Sequence, residues 1–244
     1  MEFTVRFPFV TTVTGAGHAA KSGVRRALWL LLIVCGVVPP VQALVASPPR
    51  VEAQSHVLID FHSGRILSQK SADNRVAPAS LTKMMTEFVV FSELKTGRIT
   101  LDDEVRISRR ARAMQGSRMF LEAGSKVRVE ALIQGVIVQS GNDASVALAE
   151  HIAGSVEDFA VLMNKHAGTL KMADSNFVNA HGLPHADHYT SARDMARLAM
   201  ALIERFPNYY RWHAKREFEH NGIKQRNRNK LLWSDESVDG IKTG

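Results

Sequence analysis

Between Leu81 and Phe206 apolar residues recur three and four positions apart, a spacing that predicts a succession of helices. Leu81, Met84, Met85, Phe88, Val89, Phe91 and Leu94 make the first stripe. It is entered through Pro78, which a helix start tolerates, and Ser80, a residue type that caps helices. "VEALIQGVIVQ" (129–139) and "NDASVALAEHIAG" (142–154) predict two more, the second closed by Gly154. "SVEDFAVLMNKHAGTLKM" opens on Ser155 with Glu157 and Asp158 in its first turn; "SARDMARLAMALIERF" opens on Ser191 with Asp194 three residues on, a capping-box variant. Ahead of the helices, "HVLIDFHSGRILSQK" (56–70) holds two β-prone runs around His62-Ser63-Gly64 and predicts a hairpin. Past Pro207 the pattern turns extended and polar, ending in "VDGIKTG". Strands, then helices, then a strand predict an α/β (α+β) domain in which an antiparallel sheet is split by a helical insertion. There are no internal repeats.

Composition adds a compartment. The 244 residues, 45% hydrophobic, suit one or two domains with a sizeable core. The one long apolar run is early: Arg25 and Arg26 precede "ALWLLLIVCGVV", and "PPVQA" offers Val41 and Ala43 as small residues before a cut. Charged flank, short apolar stretch and small-residue exit predict a secretory signal peptide over 1–43, with an uncleaved anchor as the alternative. Its lead-in, 1–23, is long, and a start at Val24 would give a conventional signal. Residues 44–53 read as a linker and 54–244 as the domain. Cys35 is the only cysteine, so the mature chain uses neither disulfides nor thiol chemistry. Bulky Val34 argues against lipidation there. Removing 1–43 leaves 27 Lys and Arg against 23 Asp and Glu, a mild +4 that suits an anionic substrate outside the cytoplasm. The basic runs at 106–112 and 224–230 read as solvated faces, and no nucleic-acid partner is expected.

The chemistry begins in "PASLTKMM" (78–85), where Ser80 and Lys83 stand one helical turn apart. Either Ser80 caps the helix and Lys83 points into solvent, or the two share a face and a proton. S-x-x-K arises by chance roughly once in a chain this long, so alone it decides nothing. Two further stretches change the balance. "VQSGNDA" puts Ser140, Gly141 and Asn142 in the turn between two apolar helices, and "GIKTG" puts Lys242, Thr243 and Gly244 at the end of an extended segment. K-T-G is expected by chance in only about one such chain in twenty. S-x-x-K, S-x-N and K-T-G in this order occur in penicillin-binding proteins and class A β-lactamases.

From about Ser55 onward the chain resembles the D-alanyl-D-alanine carboxypeptidases among the low-molecular-mass penicillin-binding proteins. The resemblance is carried by "PASLTKMMT", "IVQSGNDASVALAEHIAG", "NAHGLPHADHYTSARDMA", "NRNKLLW" and "VDGIKTG". One departure is Lys230, where the family usually has Gly. The resemblance implies a β-lactamase/transpeptidase-like fold and a serine enzyme without cofactor, acting on peptidoglycan stem peptides that end in D-Ala-D-Ala. It implies Ser80 as nucleophile, Lys83 as its neutral proton acceptor and Ser140 as relay to the leaving D-alanine. Asn142 would bind the substrate amide and hold Lys83, while Lys242 with Thr243 would meet the substrate carboxylate. Gly244, lacking a side chain, would let substrate lie along the strand edge. Lys83 can be neutral only if burial and a nearby cation lower its pKa, and Lys242 would supply that cation. β-Lactams would acylate Ser80 in the same pose. The family also continues past the K-T-G strand with further strands, a small β-rich domain and a membrane-binding tail. The domain is therefore expected to be incomplete after Gly244, and membrane contact to need that tail. An exported, periplasmic location follows.

Competing readings are weaker. A β-lactamase needs a glutamate for deacylation, and neither Glu150 nor Glu157 lies in an E-x-x-L-N context. A DD-endopeptidase, or an impaired penicillin-binding fragment, shares the motifs. His181, His185 and His188 in "HGLPHADH" have tempting spacing, but Gly182 and Pro184 predict a loop without carboxylate ligands, so no metal is expected.

Overall fold

Thr82–Lys95 forms α1, and nearly all its side chains are buried, Lys83 and Glu87 among them. Such a helix is central to the domain rather than a surface helix with one apolar stripe. The computed structural model describes residues 51–244. The expected signal peptide and most of the expected linker lie outside the described residues. Around α1 pack α3 (Val129–Gln139), α4 (Asn142–Ala153), α5 (Val156–Thr169) and α6 (Ala192–Arg205); a short α2 (Arg109–Arg112) sits against α4. Periodicity located all four long neighbours. Ser155 and Ser191 cap as expected, accepting the N–H of Asp158 at 2.9 Å and of Asp194 at 3.2 Å. Gly154 closes α4 in the left-handed region, φ 81°. Phe88 meets Phe206 edge-to-face and Phe91 stacks on Tyr209, tying α1 to the end of α6 and the turn after it. Among the described residues no helix is long and apolar enough to cross a membrane.

Strand content is divided. β1 (His56–Ile59) and β2 (Ile66–Lys70) form the expected antiparallel hairpin, bulged between Leu58 and Ile59. β3 (Glu104–Arg106) pairs with β4 (Lys126–Arg128), and β5 (Glu217–His220) with β6 (Ile223–Arg226). The mixed helix-and-sheet class stands, but among the described residues the strands are three separate antiparallel pairs rather than one split sheet. The K-T-G segment is not a strand here, because a strand exists through its ladder and no described segment pairs with it.

The reading after Pro207 also needs correcting. Pro207 opens a short helix, α7 (Pro207–Tyr210), since the first helical turn requires no N–H from it. A 3₁₀ turn, Arg211–Ala214, follows, with Tyr209 and Trp212 packed on the core. The β5–β6 hairpin turns on Asn221-Gly222, both at positive φ (48° and 73°), a hairpin signal the periodicity reading passed over. A last short helix, α8, spans Leu231–Ser234.

Two glycines differ in what they require. Gly154 has open space where a Cβ would go, whereas at Gly182 (φ 89°) a Cβ would lie 1.8 Å from the Ala79 carbonyl oxygen. Gly154→Ala should therefore cost about 1 kcal/mol of stability, from backbone strain alone. Gly182→Ala should cost more, about 2 kcal/mol at least, by pushing its loop off the turn that holds Ser80. Chemical denaturation of both variants checks the order; equal losses would contradict the close approach.

Candidate active site

Ser80 does not cap α1. It sits within a 3₁₀ turn, Ala79–Leu81, that runs straight into the helix, and no side chain caps either start. The turn puts Ser80 on the wall of a cavity of about 280 Å³, shared with Asn142, His181, Gly182, Leu183 and His188. Three residues on, Lys83 points inward. Its Nζ donates to Asn142 Oδ1 at 2.7 Å and to the His181 carbonyl at 2.6 Å, and the residue is 0% exposed.

Burial pushes the Lys83 pKa down to about 7; the charge of Lys242 adds to this, while Glu87 and Asp143 act the other way. A neutral amine that donates two N–H bonds keeps its lone pair for a third partner. Near neutral pH, Lys83 is thus chemically able to take a proton. Its hydrogen bonds run to Asn142 and His181 rather than to Ser80.

The turn between α3 and α4 supplies the second group. Ser140 ends α3 in the left-handed region, φ 61° and ψ 38°, and its buried Oγ has no hydrogen-bond partner. Leaving a buried hydroxyl unpaired costs about 1–3 kcal/mol, a defect to expect in a group awaiting a ligand. Asn142 opens α4. Besides holding Lys83, its Nδ2 donates to the Gln115 carbonyl at 2.6 Å, and its own N–H donates to the Ser117 carbonyl at 2.7 Å. Asp143, which the sequence reading missed, accepts the N–H groups of Met119 and Leu121 and so fixes the segment crossing above.

Lys242 is half-buried and donates to the Thr243 carbonyl at 2.8 Å. Burial lowers its pKa to about 8, Glu87 opposing and Arg228 assisting. Gly244 lies beside the Ser80 turn: a Cβ built on it would be 4.0 Å from Leu81 Cγ. Ser80, Lys83 and Asn142 are joined by one cavity and one hydrogen bond, and Lys242 reaches Lys83 through its charge. Thr243 and Gly244 accompany Lys242; among the described residues none hydrogen-bonds the side chain of Thr243 to fix it to the site.

The loop histidines are occupied with structure. His188 Nδ1 accepts the Val178 N–H at 3.0 Å, so Nε2 carries the proton and donates to Thr82 Oγ1 at 2.7 Å. Burial, then the charge of His185, lowers its pKa to about 4. His188 therefore keeps no ring lone pair for a metal. Sequence reasoning also missed Glu87 and His213, buried together beneath the two lysines. A lone carboxylate four residues after Lys83, inside an apolar stripe, was the available signal for the first.

A family model described as D-alanyl-D-alanine carboxypeptidase, peptidase S11, matches residues 42–244. The chain belongs to this family. It is 44% identical to D-alanyl-D-alanine carboxypeptidase DacA of Escherichia coli over 211 residues, 84% of this chain and 52% of that protein. Penicillin-binding protein 5 from Haemophilus influenzae superposes with a TM-score of 0.79 at 46% identity, covering 82% of this chain and 59% of the other. Penicillin-binding protein D2 from Listeria monocytogenes, solved in its ampicillin-bound form, gives 0.73 at 25% identity, covering 82% and 81%. The chain spans about half the length of the curated family relatives it matches.

A lysine whose pKa falls on folding makes stability depend on pH. Between about 7, where folded Lys83 loses its proton, and about 10.5, where the unfolded chain does, the unfolded state binds more protons. Stability should therefore rise with pH across that window, by up to about 1.4 kcal/mol per pH unit for one group, with Lys242 contributing above about 8. Lys83→Met should flatten the rise below pH 8, measured by denaturant titration at a series of pH values. An unchanged slope in that variant would mean Lys83 stays charged when folded.

Proposed function

We propose that this chain carries the catalytic site of a serine D-alanyl-D-alanine carboxypeptidase, removing the terminal D-alanine of peptidoglycan stem peptides through a Ser80 acyl-enzyme. The observation that carries the reading is Lys83: a buried amine, poised to be neutral near pH 7, three residues from Ser80 and held by Asn142. Family membership and the ampicillin-bound relative support the substrate class and its β-lactam mimic.

An amide is a poor electrophile, so the hydroxyl must lose its proton as it attacks. Ser80 Oγ gives its proton to Lys83 Nζ and bonds to the carbonyl carbon of the penultimate D-alanine. Ser140 Oγ, buried and unpaired, relays to the departing nitrogen, giving its own proton and taking one in turn from Lys83, so that D-alanine leaves and Lys83 is neutral again. Water then cleaves the ester, returning Ser80 to its hydroxyl form. Lys242, whose pKa near 8 leaves it mostly cationic at neutral pH, meets the terminal carboxylate together with Thr243. Asn142 has a second Nδ2–H available for the substrate amide beside the one bonded to Gln115. Gly244 lets the substrate backbone approach without a side chain in its way. Such a substrate lies outside the inner membrane, in keeping with the leader expected over 1–43 and a periplasmic location.

A labelled penicillin should attach to Ser80 and to no other residue, as located by mass mapping of the adduct. Ser80→Ala should not label. Lys83→Arg should fold yet acylate slower by roughly 10²–10⁴, because a guanidinium stays protonated. An adduct on Ser140, or wild-type rates in Lys83→Arg, would overturn the assignment.

A further inference from the structure

Beneath the two site lysines lies an ionisable pair with no part in the scheme above. Glu87 and His213 are 1% and 0% exposed, and Glu87 Oε2 lies 2.9 Å from His213 Nε2. His213 Nδ1 faces the Tyr210 carbonyl at 2.8 Å, and a carbonyl can only accept, so Nδ1 carries a proton. A second proton must then lie between Nε2 and the carboxylate, since otherwise a lone pair would face an anion in a dry interior. Imidazolium with carboxylate, or imidazole with carboxylic acid, both satisfy this, and both leave the pair neutral overall with one shared proton.

The placement of the pair gives it a use. Glu87 follows Lys83 by one turn on α1, on the same face. His213 packs against Gly240, where a Cβ would fall 3.0 Å from His213 Cβ, two residues before Lys242. Two more hydrogen bonds anchor that segment: Tyr210 Oη donates to Asp239 Oδ1 at 2.7 Å and Asn229 Nδ2 to the Gly240 carbonyl at 3.2 Å. One oxygen, Glu87 Oε1, is buried without a partner.

We propose that Glu87 and His213 are positioning residues for acylation: a proton-sharing pair that clamps the Lys242 segment onto α1 and sets the balance of charge between the two site lysines. The inference rests on the acylation reading above. The charged and titratable groups around the pair are Lys83 on α1, Asp143 on α4, Tyr210 on α7, Arg228 after β6, and Asp239 and Lys242 on the final segment. For Lys83, burial and Lys242 act downward and Glu87 is the largest influence upward; for Lys242, burial acts downward and Glu87 again leads the opposition. Burial disfavours charge on His213 as well, but Glu87 and the Tyr210 carbonyl outweigh it and its pKa is raised.

Glu87→Gln keeps the shape and lets its amide donate to a neutral His213; the pair stays neutral overall, but the carboxylate one turn from Lys83 is gone. Penicillin acylation should follow a bell-shaped pH profile, rising as Lys83 deprotonates and falling as Lys242 does. In Glu87→Gln both limbs should move to lower pH by about half a unit or more. A slower variant with unmoved limbs would reduce the pair to a structural contact and overturn the proposal. The His213 ring nitrogens, followed by NMR in the wild-type protein, give a second readout that needs no variant. They should keep their proton count through the range in which a free imidazole titrates, whereas ordinary titration near pH 6.5 would overturn the shared proton. If the wild type is not acylated at all, the functional reading fails, and with it the positioning role, while the His213 titration still decides whether the proton is shared.

Discussion

The amine of Lys83 is held at zero exposure between two oxygens, Asn142 Oδ1 and the His181 carbonyl, and much of the architecture is required to keep it there. An ammonium cannot be buried cheaply, so it must be paired, lose its proton, or return to water. This site combines hydrogen-bond acceptors with a cationic neighbour, which favours loss of the proton. Three separate stretches must meet for that: α1 supplies the lysine, the α3–α4 turn supplies Asn142, and the 179–183 loop supplies the carbonyl. Gly182 is where the loop closes, because only a residue without a Cβ can lie against the Ala79 carbonyl. The same approach places the loop over the Ser80 turn, so the wall of the cavity and the environment of the lysine are one construction.

The site's electrostatics follow from how its charges are layered. Lys83, Lys242 and Arg228 bring positive charge to a region of low exposure, and Glu87 and Asp143 oppose them from the helices beneath. With more positive charge the two lysines would both be neutral near pH 7, and the substrate carboxylate proposed for this site would find no cation. With more negative charge both would stay protonated, and the base proposed for Ser80 would be lost. The order that burial and these charges set, Lys83 near 7 and Lys242 near 8, lies between these limits. A pair of groups whose environments separate their protonation is the pattern expected of an acid–base site.

What the sequence reveals depends on how local the signal is. The helix stripes at 82–95, 129–139, 142–153, 156–169 and 192–205 are each stated within a few turns of chain, and Ser155 and Ser191 announce their helices by chemistry confined to four residues. Ser80 looks the same in that window yet does not cap: it lies inside a 3₁₀ turn, against which the Gly182 loop, a hundred residues away, is packed. The extended pattern past Pro207 gives way to a short helix, because the proline stands where a first helical turn can take it. The Asn221-Gly222 turn was a local signal as plain as any and could have been read. His213 had no such signal: its meaning comes from Glu87, 126 positions earlier.

The three motifs occupy an intermediate position. Each is short enough to arise by chance, and no local rule connects Ser80 with Asn142 or Lys242. Their order in the chain carries information only because one fold brings them together. That fold does so through α1: Lys83 and Glu87, one turn apart, face the α3–α4 turn and the final segment respectively. A helix this buried tolerates two ionisable residues only if each meets a partner from a distant stretch. Asn142 and His213 are those partners, so the requirement to satisfy two buried ionisable groups is also what aligns the second and third motifs on the first.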